Sequence, residues 1–275
     1  MIYNYFFTKI MWGVFVVKQK VRVSLFLALL LCVFVVFGAE AGDRLDRILQ
    51  EKVLRVGTPG DYRPFSMLSD GKYEGHDIDV AELIAKELGV KVEYVQTSWP
   101  DLMNDLFADK YDVAVGGITR NVTRMSRVDF LPPYAPTGKV ALVRAEDKDK
   151  FNTPESLNQE TVRVIKNPGG TNEIYVLANL PKAQVSTHEK NAEIPALIAE
   201  GKGDVMITET YEALLYSKMD SRLYAAFVDA PLTPISFMGF MIPLDDPDFS
   251  RLLKFVWDML QRRGELAQCA EKWLQ

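Results

Sequence analysis

The chain has 275 residues, 48% of them hydrophobic and 25% charged, enough for one large or two ordinary domains. Its net charge of −5, with no cluster of basic residues, argues against nucleic acid as a partner. The only histidines, His76 and His188, have no metal-ligand spacing, and there is no phosphate loop, Gly-x-Ser-x-Gly motif or paired-cysteine motif, so neither metal nor cofactor is expected.

The N-terminus differs from the remainder. Lys18, Lys20 and Arg22 precede an uncharged apolar run over residues 23–37, and Gly38-Ala-Glu-Ala41 supplies an A-x-A cleavage pattern. Residues 1–41 are therefore expected to be a cleavable signal peptide and the protein periplasmic; an uncleaved anchor would need a longer apolar run. Residues 1–10 lengthen the leader, which makes Met11 an alternative start. Cleavage would remove four basic residues and Glu40, leaving −8 from −5, and would take Cys32. Cys269 alone remains, so no intrachain disulfide is available, and its place in a helical pattern suits packing.

After a polar lead over 42–52, residues 53–57 read as a buried strand. A turn-rich loop follows with Tyr62 and Phe65, then an amphipathic helix from Asp77 that Gly89 stops. Residues 90–96 alternate as a strand, Ser98 is placed as the cap of a second helix beginning at Trp99, and 111–115 form a third strand ending at Gly116-Gly117. This β-α-β-α-β order implies a parallel sheet with ligand at the strand C-termini, where Gly117, Thr119 and Arg124 fall. A strand over 139–143 leaves the unit, and a second β-α-β series runs through strands at 162–165, 184–187, 204–207 and 224–228. A return strand at 235–242 and helices over 249–261 and 266–274 close the chain. The expected fold is α/β, a two-lobed periplasmic binding protein-like fold (type II) with two β-strand hinge crossings. Residues 42–140 plus 240–275 make lobe one and 141–239 lobe two with the hinge strands.

One stretch organises the rest: Lys166-Asn-Pro-Gly-Gly-Thr-Asn-Glu173, between a strand and a helix. Pro168 ends the strand, and Gly169 and Gly170 permit a turn whose N–H groups face a ligand at the helix start. Gly170, Thr171 and Asn167 are thus anion-binding candidates. Glu173 is unexpected beside an anion; the plainer reading is a first-turn acid favouring the helix dipole.

Together the residues resemble secreted two-lobed solute-binding proteins for polar amino acids: Gly116-Gly-Ile-Thr, Arg124, Val128-Asp-Phe130, Gly169-Gly-Thr171 and Asp204-Val-Met-Ile-Thr-Glu209. Within that group Thr97-Ser-Trp-Pro-Asp-Leu-Met103 and Asn167–Glu173 are similar to the periplasmic cyclohexadienyl dehydratases. The resemblance implies conversion of prephenate to phenylpyruvate and of arogenate to phenylalanine without a cofactor. It implies Glu173 as general acid, its pKa raised by an apolar closed cleft. Arg124 would grip a carboxylate, Thr119, Thr171 and the Gly117 and Gly170 N–H groups would complete the cradle, and Trp99, Tyr62 and Phe65 would wall the ring. Trp99 fits core or cleft equally. Glu209 stands where amino-acid binders place an acid for the ligand's ammonium. The alternative function is a non-enzymatic receptor delivering a polar or aromatic amino acid to an ABC transporter permease. Nothing in the sequence sets an oligomeric state or a preference between the two substrates.

Overall fold

The computed structural model describes residues 43–275; the expected signal segment lies outside them. Two five-stranded sheets, each flanked by helices, form two lobes. The first sheet holds β1 (Val53–Thr58) between the parallel neighbours β5 (Lys91–Gln96) and β6 (Val113–Ala114). The late strand β15 (Met241–Ile242) then pairs antiparallel with β6 and with β7 (Asp129–Phe130). In the second sheet β10 (Arg163–Lys166) is parallel to β11 (Gln184–Thr187) and β12 (Val205–Glu209). β9 (Lys139–Arg144) runs antiparallel between β12 and β13 (Leu223–Ala226). Two crossings join the lobes: β8 (Pro136–Thr137) pairs antiparallel with β14 (Ser236–Phe237).

The polar lead expected before β1 is instead a helix, α1 (Asp43–Glu51), with Ile48 buried. The loop after β1 is also more ordered than its turn residues suggest. It folds into an antiparallel sheet of β2 (Asp61–Tyr62), β3 (Ser66–Ser69) and β4 (Lys72–Glu74), which fixes Tyr62 over the cleft. Helix α2 (His76–Leu88) buries Ile78, Val80, Ala81 and Ile84 and ends at Gly89, whose φ of 68° suits a residue without Cβ. Helix α3 (Leu102–Phe107) starts three residues later than expected, at the Asp101 cap. Ser98 Oγ accepts the Asp101 N–H at 3.2 Å and so closes the turn before the helix. A short helix α4 (Val122–Met125) carries Arg124, and α5 (Pro154–Leu157) covers the second sheet. Helices α6 (Gly170–Asn179), α7 (Ile194–Ala199) and α8 (Thr210–Met219) complete the second lobe. The last two, α9 (Pro247–Arg262) and α10 (Glu265–Trp273), return to the first: Phe249, Leu253, Trp257, Leu260 and Cys269 share its core with Leu54, Val56 and Ile84. Each fully buried side chain of this kind contributes roughly 1.5–3 kcal/mol.

Both sheets are clasped by the same device at the strand ends away from the cleft. Asp112, just before β6, accepts the Arg55 N–H at 2.9 Å and pairs with the guanidinium groups of Arg44, Arg47 and Arg55. Asp204, just before β12, accepts the Arg163 N–H at 2.9 Å and pairs with Arg144 and Arg163. Burial opposes both charges, but the arginines hold both carboxylates below the usual range.

At the cleft end of the first sheet, Asp77 is fully buried and sets the Gly116-Gly117 turn. Its Oδ2 accepts both glycine N–H groups, at 2.9 and 2.8 Å, and the Tyr134 hydroxyl at 2.8 Å. Asp77→Ala strands two backbone donors in the interior, and each such donor costs ~1–3 kcal/mol. We expect urea denaturation to show a loss of at least ~3 kcal/mol, and a loss below ~1 kcal/mol would contradict this role.

Candidate active site

A small cavity lies in the cleft between the lobes. The first lobe lines it with Tyr62, Trp99, Gly117, Thr119 and Arg124, the second with Asn167, Gly169, Gly170, Thr171, Asn172, Asn191 and Glu209. Of the residues singled out from sequence, the structure brings all except Phe65 and Glu173 to this wall.

Glu209 ends β12 and is buried. Its Oε2 accepts the Tyr62 hydroxyl, and its Oε1 accepts Lys139 Nζ, Thr119 Oγ1 at 2.8 Å and Thr171 Oγ1 at 3.2 Å. A carboxyl that only accepts, from donors on both lobes, is ionised. Burial pushes its pKa up, but the Lys139 charge and these hydrogen bonds outweigh that and hold it below the ordinary value. Lys139, the first residue of β9, also donates to Thr171 Oγ1 at 2.7 Å and to Asn172 Oδ1. Burial depresses its pKa against the pull of Glu209. Sequence reasoning passed over Lys139. The available signal was a lysine opening a strand whose next four residues are all apolar, where only a buried partner stabilises its charge.

Arg124 comes from α4, whose start Asn121 caps by accepting the Arg124 N–H at 2.9 Å. Its Nη1 donates to Thr119 O at 2.7 Å, and among the described residues no carboxylate lies within ion-pair distance of its guanidinium. Burial disfavours that charge and the Glu209 charge favours it. Gly169 and Gly170, with φ of 72° and 73°, turn the chain into α6, and the first turn of that helix opens on the same space. A Cβ on Gly169 would sit 2.7 Å from Pro100 N across the cleft, so glycine permits close approach of the lobes there.

Two placements correct the sequence reading. Phe65 is fully buried beneath the wall; it stacks on Tyr62 with ring centroids 5.7 Å apart and braces that ring without lining the cavity. Trp99, which fitted core or cleft, is half-buried on the wall, with Nε1 donating to Asp61 Oδ1 at 2.9 Å. Glu173 does not line the cavity either. Its side chain, 28% exposed, takes a hydrogen bond from Lys166 Nζ and one from the Gly169 N–H at 2.8 Å. The Lys166 hydrogen bond, aided by that of Gly169 and opposed by burial, lowers its pKa where a raised one was expected. Glu173 is a carboxylate that pins the glycine turn.

The strongly raised carboxyl is Glu212, fully buried one turn into α8. Burial dominates, the Glu209 and Asp61 charges add to it, and hydrogen bonds from Thr208 Oγ1 and Asn191 Nδ2 oppose it only in part. A raised acid stabilises the fold fully below its unfolded pKa of about 4.5, and that contribution drains away as pH rises toward its folded pKa. Glu212→Gln removes the titration while keeping the shape. We expect urea titrations between about pH 5 and pH 8 to show less loss of stability in the variant than in the wild type. Parallel curves would mean that Glu212 carries no such load.

These features define a class: a two-lobed α/β protein that encloses a small polar molecule between its lobes. Residues 54–275 match the model of the bacterial extracellular solute-binding proteins, family 3, and the chain belongs to that family. The cyclohexadienyl dehydratase of Pseudomonas aeruginosa is 40% identical over 236 residues, 85% of this chain and 87% of that one. The solved structure of an ancestral cyclohexadienyl dehydratase is 49% identical over 84% of this chain and 96% of its own, with a TM-score of 0.51. An ancestral amino acid-binding protein, AncCDT-1, a precursor of cyclohexadienyl dehydratase, is 35% identical over 85% of this chain and 100% of its own, with a TM-score of 0.78. The resemblance read from the motifs therefore holds across the described chain. No helix among the described residues is long and apolar enough to cross a membrane.

Proposed function

We propose that this chain is an exported, cofactor-free cyclohexadienyl dehydratase that converts prephenate to phenylpyruvate and arogenate to phenylalanine. The observation that carries the reading is the charge at the cavity: Arg124 on its wall and Lys139 behind it on Glu209, two buried cations, against Glu209, the one acid on that wall, in a chain 40% identical to a named dehydratase. Export through the signal-like residues 1–41 accords with an extracellular family.

Prephenate is a dianion. Arg124 takes one carboxylate, with Thr171 and the first turn of α6 beside it, and Tyr62 and Trp99 flank the ring. In the reaction the ring carboxylate leaves as carbon dioxide, and its bonding pair enters the ring as the new double bond. The carbon–oxygen bond opposite breaks, and the oxygen departs as water with one added proton. Aromatisation supplies the driving force, so the protein has to orient the dianion and deliver that proton.

We assign the proton to Glu209 in place of Glu173, because Glu209 is the carboxyl on the cavity wall. With the site empty, the two cations and Glu209 sum to +1. A dianion takes the sum to −1, and protonation of Glu209 restores neutrality in a buried space. Substrate entry thus withdraws the compensation that keeps Glu209 ionised and loads the acid for use.

The direct test is incubation of the purified protein with prephenate, followed by phenylpyruvate absorbance in base; no product above the slow acid background rejects the reading. We expect Glu209→Gln to fold and to lower kcat by about 10²–10⁴, the span of general-acid catalysis. We expect Glu173→Gln to change kcat by less than ~10-fold, and the reverse ranking returns the acid to Glu173.

A second reading has its own support. An amino-acid zwitterion, carboxylate on Arg124 and ammonium on Glu209, leaves the site's charge unchanged, and the family and its ancestral amino acid-binding member accord with a receptor serving an ABC transporter permease. Calorimetry in buffers of different ionisation enthalpy separates the two. The dehydratase reading expects uptake of about one proton with a dicarboxylate ligand. A receptor would bind amino acids without proton uptake and leave prephenate intact.

A further inference from the structure

Asn191 opens the short turn before α7 and lines the cavity while being only 1% exposed. Its Nδ2 donates to Glu212 Oε1 at 2.8 Å and to the Asp61 carbonyl at 3.3 Å. The Asp61 carbonyl can only accept, and it fixes the amide's orientation, since a flip would set Oδ1 against that oxygen. Asn191 Oδ1 is left buried with no hydrogen-bond partner. An unmet buried acceptor is destabilising, and a donor on the ligand recovers that loss.

We propose that Asn191 Oδ1 reads a hydroxyl on the ligand's ring, accepting its hydrogen while the hydroxyl oxygen takes the proton from Glu209. The assignment rests on the dehydratase reading for the identity of the ring. The departing hydroxyl has one hydrogen of its own, and Asn191 receives it. The hydroxyl lone pairs are then turned toward the acid, and rings without a donor at that position bind less well. Glu212 acts behind Asn191 as a positioning residue. Fully buried and hydrogen-bonded to Thr208, it holds Asn191 Nδ2, so the amide presents its oxygen and not its nitrogen.

The test uses two stable probes that differ by one para hydroxyl, 4-hydroxyphenylpyruvate and phenylpyruvate. Their affinities are measured by calorimetry on the wild type and on Asn191→Ala. We expect the wild type to prefer the hydroxylated probe by roughly 5–30-fold and the variant to lose that preference while binding phenylpyruvate within ~3-fold of wild type. Equal preference in both proteins, or equal loss of both probes, would overturn the proposal and leave Asn191 a packing residue. Should Asn191→Ala fail to fold, Asn191→Ser, too short to reach the ring, gives the same comparison. Glu212→Gln retains an oxygen for Asn191 Nδ2 and should keep the preference, whereas Glu212→Ala should blunt it. Because these arms read binding alone, a protein that discriminates the probes through Asn191 yet leaves prephenate unchanged upholds this inference and defeats the catalytic one.

Discussion

Glu209 accepts hydrogen bonds from Tyr62 and Thr119 on one lobe and from Lys139 and Thr171 on the other, and the enclosed state of the cleft depends on that convergence. A buried carboxylate tolerates removal from water only when its lone pairs are filled, so separating the lobes and hydrating Glu209 are one event. The same side chain is the reactive acid of the proposed chemistry. On that reading, closure and reactivity are tied to a single residue.

That coupling explains how one wall serves two kinds of chemistry. A receptor for amino acids needs an anion for the ammonium and a cation for the carboxylate; Glu209 and Arg124 supply both. On the proposed reading, the second buried cation, Lys139 behind Glu209, suits the cleft to a ligand with one more negative charge, and a proton on Glu209 relieves the excess.

The architecture was legible because its signals are local. Apolar runs, Gly89 and the strand–turn–helix pattern around Gly169 each declare themselves within a dozen residues, and the motif at 97–103 with Arg124 pointed to the family. The chemistry was less legible because it is set by partners distant in sequence. Glu173 looked like an acid inside an anion site; its partner Lys166 opens the same stretch, and only the folded turn brings the two together. Lys139 was hidden as the first residue of a strand, and its meaning depends on Glu209, seventy positions later. Asn191 and Glu212 are separated in sequence by α7 and β12, and no short motif links them. Phe65 and Tyr62 share a loop, and only the small sheet of β2–β4 decides which ring faces the ligand.

The paired clasps at Asp112 and Asp204 have a consequence for descent. Each anchors its strands at the floor of a lobe, through the backbone N–H and guanidinium of the facing arginine, so register is settled far from the ligand. Substitutions at the rim can then accumulate without shifting the framework beneath them. A scaffold bolted at its base in this way is free to exchange one occupation for another, which accords with a lineage holding both binders and lyases.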